Sequence, residues 1–220
     1  MTGITEGTVP STETVRILRE AAEAFAPYEP AENPATCSRR DRALDEARKT
    51  LLVAGLPDAS LPVESFFRSF GDKGSGLPNV RGMYGSASAQ HLEYLYSLAG
   101  IERVPSEFSA MPDHLSLISE FVALLVEAGE FDAARQVAGD HLWWLGEYEA
   151  QLASVRDRAL GDDADVSVGP TAESDGEDAS GAGMPPGDEE FSRGLLKEGI
   201  DVMIGHLRAV SHVLDLMQRL

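Results

Sequence analysis

Apolar side chains recur in this chain at the spacing of helices, and strand-like alternation is nearly absent. That periodicity is the strongest constraint on the fold, because a 3.6-residue stripe is useful only when the chain coils and packs its stripe against another. The pattern predicts a first helix from Ser11 to Pro27, with Val15, Leu18, Ala22 and Phe25 on one face and Pro27 and Pro30 ending it. A second runs from Ser38 or Asp41 to Ala54, with Leu44, Ala47, Leu51 and Ala54 as its stripe and Gly55 as its stop. The short segment Leu61 to Phe70 carries Val63, Phe66, Phe67 and Phe70, and the glycine-rich stretch from Gly71 to Gly82 reads as a connection.

The next part of the chain is the most apolar. Helices are predicted from Ser86 to Ala99 and from Asp113 to Ala128, closed by Gly100 and Gly129. One long helix is then expected from Phe131 to Ala159, its buried face widened by Trp143, Trp144 and Tyr148. The stretch from Gly161 to Glu190 has ten acidic residues, no basic one, and Gly, Ser, Ala and Pro for most of the rest. Such a segment buries too little apolar area to offset its ordering entropy and is read as a disordered loop. A last helix, Glu190 to Leu220, offers Phe191, Leu195, Val202, Leu207, Val210, Leu214 and Met217 to the core and is expected to dock back on the bundle. The expected architecture is therefore all-α: a single-domain helical bundle with a long acidic disordered loop before its C-terminal helix.

Charge and composition narrow the partners. A formal net charge of −19 repels nucleic acid and anionic membranes and favours cationic partners. With only three lysines (Lys49, Lys73, Lys197), the same surface also fits adaptation to a salt-rich cytoplasm. No apolar run is long enough to span a bilayer. Met1 to Pro10 lacks the order of a signal peptide, and Arg39-Arg40 is followed by an amphipathic run, so a cytoplasmic location is expected. Cys37, the single cysteine, fits a reducing compartment.

Pro112-Asp113-His114-Leu115 stands where a helix begins. Proline is tolerated there, and an aspartate at the cap accepts from free backbone N–H groups. His114 is expected to lie exposed at that helix mouth; the bland alternative is a plain N-cap beside a surface histidine.

The surrounding motifs extend this signal. Met111-Pro112-Asp113-His114-Leu115 is followed by Glu120-Phe121-Val122, then by His141-Leu142-Trp143-Trp144-Leu145 and Tyr148, and is preceded by Arg81-Gly82-Met83-Tyr84-Gly85-Ser86. Together these resemble the TorD/DmsD/NarJ family of molybdoenzyme assembly chaperones over roughly Val80 to Leu152. Three features depart from the family: Ala110 replaces a frequent acidic residue, Ile118 a frequent glutamate, and the tryptophan of the His-Leu helix is displaced by one position. The resemblance implies a non-catalytic protein without a cofactor. Its partner would be the apo catalytic subunit of a molybdopterin oxidoreductase, held by its twin-arginine leader until the cofactor is inserted. Such a leader offers guanidinium groups and an apolar stretch, so its receptor needs carboxylates beside an apolar groove. On that reading Asp113, with Glu107 and Glu120, engages the arginines, while Tyr84, Leu92, Phe121 and Trp144 line the groove. His114 tunes the site by its charge, and Pro112 and His141 belong to the same constellation. A monomer or a domain-swapped dimer is compatible with the loop before the last helix.

Two rival classes are a helical protein-interaction scaffold and a helical metal-dependent hydrolase. The second would draw ligands from His91, His114, His141, Asp113 and Asp140. The chain reads Asp-His twice where helical phosphohydrolases use His-Asp, and no His-x-x-x-His pair appears, so no metal is expected.

Overall fold

The computed structural model describes residues 11–29, 37–68, 86–161 and 186–219. Among them are seven α-helices: α1 (Ser11–Ala24), α2 (Arg39–Leu51), α3 (Ala87–Leu98), α4 (Leu115–Glu127), α5 (Phe131–His141), α6 (Leu145–Gly161) and α7 (Pro186–Gln218). The only β pairing among the described residues is an isolated antiparallel bridge between Val63 and His114.

Local chemistry explains the boundaries. Ser38 caps α2 reciprocally: its side chain accepts from the Asp41 N–H, and the Asp41 carboxylate accepts from the Ser38 N–H. Ser86 caps α3 by accepting from the Ala89 N–H. Gly100 and Gly129 follow α3 and α4 with φ of 79° and 80°, a left-handed conformation that lets the chain turn away at little cost.

The stripes then meet. α4 is the most deeply buried helix: Leu115, Ile118, Phe121, Val122, Ala123 and Val126 all lie within the core, and the helix packs along α1. The C-terminal α7 lies against α2, α6 and α1, with Ile200, Met203, Leu207 and Val210 buried. It thus docks back on the bundle as its apolar stripe requires.

Several details differ from the sequence expectations. The long helix expected from Phe131 to Ala159 is two helices with a break at Leu142–Trp144. A continuous helix would set Leu142 and Trp144 about 160° apart around its axis. The break lets both be buried, at 3% and 1% exposure, and the indole N–H of Trp144 satisfies the freed His141 carbonyl at 2.8 Å. Trp143, expected inward, is half exposed. Phe191 is also exposed, because α7 first enters the core at Leu195. That helix begins at Pro186, ahead of the expected Glu190, in keeping with proline's tolerance at a first helical position. The glycine-rich connection from Gly71 to Gly82 and the acidic stretch 162–185 lie outside the described residues.

Candidate functional site

The tripeptide that leads into α4 is held by the segment Pro62–Phe67, which contains a single 3-10 turn, Glu64–Phe66. The Leu115 N–H donates to the Pro62 carbonyl at 2.8 Å, and the Glu64 N–H to the Asp113 carbonyl at 3.1 Å. This backbone clasp turns Asp113 inward. Its Oδ2 accepts from the Ser65 N–H at 2.7 Å and from the Ser65 hydroxyl, which is itself 2.6 Å from the Ser86 hydroxyl. Asp113 is therefore not the cap of α4. His114 is, with its Nδ1 accepting from the Ser116 N–H at 3.2 Å.

Neither residue is at an open helix mouth. Asp113 and His114 are 1% and 2% exposed, because the Pro62–Glu64 segment covers them from one side. Phe108 lies against the His114 ring, 4.9 Å away between centroids. Burial pushes the His114 pKa down to about 3, so the imidazole is neutral at any ordinary pH. Burial raises the Asp113 pKa, opposed by the Ser65 hydrogen bonds and reinforced by the nearby Glu64 charge. The Pro112 carbonyl accepts from the buried Tyr96 hydroxyl at 3.0 Å.

Glu64 is the node that sequence reasoning missed. Its side chain is fully buried and collects four donors. Oε1 accepts from Arg68 Nε at 2.7 Å, the Ser88 hydroxyl at 2.9 Å and Trp143 Nε1 at 3.3 Å, while Oε2 accepts from His141 Nδ1 at 2.7 Å. The His141 Nε2 lies 3.0 Å from His91 Nδ1, so the two rings share a hydrogen bond whose direction follows their tautomers. Desolvation raises the Glu64 pKa, yet His141 and Arg68 outweigh it and hold the carboxyl below its ordinary value. A carboxylate this well supplied with donors is a structural knot joining the Glu64 turn to α3 and to the α5–α6 break. The one available sequence signal was a glutamate flanked by apolar residues, in the run Leu61 to Phe67 whose other polar member is Ser65. Trp144 belongs to the same region, stacked on Phe67 at 4.7 Å.

The remaining expected residues do not share one environment. Phe121 meets Tyr96 edge-on at 4.9 Å, and both line a shallow hollow of about 190 Å³. Ile101, Val104, Pro105, Leu117 and Leu124 complete its apolar wall, and Glu120 stands in its lining as the only charged residue. Leu92, expected beside them, is wholly inside the core. Glu107 is exposed on the connection before α4. Tyr84 lies outside the described residues. The structure thus divides the expected constellation. Pro112, Asp113, His114, His141 and Trp144 form a buried frame, Glu120 is accessible at the hollow, and Phe121, itself 5% exposed, lines the hollow from the core side.

No group of three or more His, Cys, Asp or Glu among the described residues is arranged to hold a metal. No helix among them is long and apolar enough to cross a membrane.

Comparison with known proteins gives one positive result. The family model described as nitrate reductase delta subunit matches residues 16–157, a span that includes the Glu64 turn, the Asp113-His114 frame and the hollow. No curated protein and no solved structure gave a match. The chain belongs to the nitrate reductase delta subunit family, a NarJ/TorD-type family of molybdoenzyme assembly chaperones.

Proposed function

We propose that this protein holds the N-terminal, twin-arginine leader region of a molybdopterin-dependent oxidoreductase subunit during cofactor insertion and then releases it for assembly or export. In this reading it acts in the cytoplasm, without catalysis and without a cofactor of its own.

The observation that carries the reading is the hollow between α3 and α4, apolar across its wall and bearing the Glu120 carboxylate. An apolar depression with an acidic group beside it complements a segment in which arginines precede apolar residues. The overall charge of −19 favours the approach of such a cationic peptide. Glu120 and Phe121 are the contacts in this reading. Asp113, His114, Pro112, His141 and Trp144 contribute by fixing where α4 starts and how α3 and the α5–α6 break lie against it.

The test is fluorescence anisotropy with a labelled peptide carrying two arginines followed by an apolar run. The expected result is saturable binding that weakens when both arginines are replaced by glutamine. Equal binding of the two peptides, or binding of neither by folded protein, would refute the reading.

A further inference from the structure

The flank of α4 that borders the hollow carries Leu117, Glu120, Leu124 and Glu127, with the buried Phe121 at its inner edge, all at helical spacing, so they form one stripe. All of them but Glu127 line the hollow. The two glutamates are not vacant. Arg19 of α1 reaches across to them, donating NH1 and NH2 to the two carboxylate oxygens of Glu127 at 2.8 and 2.7 Å and Nε to Glu120 at 3.2 Å. An arginine side chain therefore sits fork-on-fork on a carboxylate at the edge of an apolar depression. All three side chains remain more than 40% exposed. Leu124, 40% exposed, lies between the two glutamates in sequence.

We propose that Glu120 and Glu127 form a guanidinium seat for the docked client peptide, and that Arg19 is its resident occupant, displaced when an arginine of the client arrives. This inference rests on the leader-binding reading and adds to it the position of the arginine and a means of regulation. The chemistry is an exchange of like for like: one bidentate guanidinium leaves the carboxylate as another takes its place, so the carboxylates stay paired and the displaced Arg19 guanidinium passes into solvent. Exposed ion pairs of this kind are weak, which makes Arg19 easy to displace. The new arginine brings what Arg19 lacks, a following apolar segment that covers Leu124 and the partly exposed Leu117. Until then Arg19 prevents the seat from binding isolated cations or basic segments that cannot also fill the hollow.

The experiment uses the same labelled peptide, its arginine-to-glutamine version, and the full-length chain at a salt concentration where circular dichroism shows every variant folded. Arg19→Ala is expected to tighten the arginine peptide by about two- to fivefold, the equivalent of removing one exposed competitor. Arg19→Lys, which keeps the charge but loses the fork, is expected to fall between. Glu120→Gln with Glu127→Gln is expected to weaken the arginine peptide several-fold and leave the glutamine version unaffected. Leu124→Asp is expected to weaken both peptides. If the arginine peptide binds the wild-type chain but is indifferent to Arg19→Ala and to the double glutamine variant, the seat is wrong and the leader-binding reading stands. If neither wild type nor Arg19→Ala binds the peptide, both fall together.

Discussion

Gly199 offers a sharp test of how α7 closes the bundle. It lies on the buried face of α7 against α2, and a Cβ added there would stand 2.0 Å from the Ala43 carbonyl oxygen and 2.7 Å from the Ala47 Cβ. Ordinary contact begins near 3.4 Å, so Gly199→Ala requires the helices to separate by about 1.4 Å. The atom in the way is backbone and cannot swing aside. Radial gaps of 0.5–1 Å already forfeit about a quarter to a half of each dispersion contact. The neighbours that would feel the gap, Ala43, Ala47, Leu51, Ile200 and Met203, are all fully buried. Overpacking costs roughly 1–3 kcal/mol and occasionally more, and a backbone atom in the way puts this site at the upper end. Helix propensity works against that by about 1 kcal/mol in favour of alanine. The net expectation is destabilisation by roughly 1–3 kcal/mol, or about 2–4 °C in Tm per kcal/mol for a chain of this size. Gly205, exposed on the same helix with nothing within 4 Å of its added Cβ, supplies the control. There alanine gains propensity with no clash, and stabilisation of about 0.5–1 kcal/mol is expected. Urea unfolding followed by circular dichroism, at fixed high salt, measures both. A Gly199→Ala protein as stable as Gly205→Ala would refute the close approach of α2 and α7.

Two further expectations concern the buried frame. Glu64→Gln keeps the size of the side chain but removes the charge that Arg68, Ser88, Trp143 and His141 address, and a loss of about 3 kcal/mol is expected by denaturant titration. His114, whose folded pKa lies near 3 against an ordinary 6.5, binds fewer protons folded than unfolded between those values. Its contribution is therefore intact above pH 6.5 and declines on acidification, by about 1.4 kcal/mol per pH unit well inside the window. Asp113, with a raised folded pKa, acts with the opposite sign and Glu64, with a lowered one, with the same sign, so the comparison must isolate position 114. His114→Asn keeps an acceptor for the Ser116 N–H and should flatten the pH dependence of stability between pH 6.5 and 4; an unchanged slope would exclude His114 as its source.

The geometry of the Asp113-His114 motif shows why a site is harder to read than a fold. Sequence spacing placed the helix start within two residues of where it lies, because caps and apolar periodicity are local properties. It also placed Glu120 and Phe121 on the same helix, where they do share a hollow. The exposure of Asp113 and His114 was misjudged, since their cover comes from Pro62–Glu64, some fifty residues earlier in the chain. Glu64 escaped notice for the same reason: its four donors come from the turn itself, α3 and the α5–α6 break. Arg19 was invisible as a partner of Glu127 because the pairing depends on how α1 crosses α4.

By itself, then, the sequence determined that this chain is helical, where most helices stop, which face of each is apolar, and that its net charge suits a cationic partner. Those follow from backbone periodicity, capping and composition, which act over a turn or two of chain. Only the tertiary structure decided that Asp113, His114, His141 and Trp144 are buried, that a buried glutamate ties their surroundings together, and that Arg19 pairs with the acidic residues beside an apolar hollow. Burial and hydrogen-bond partners are set by segments distant in sequence, and the cost of desolvating a charge is fixed only once those segments have met.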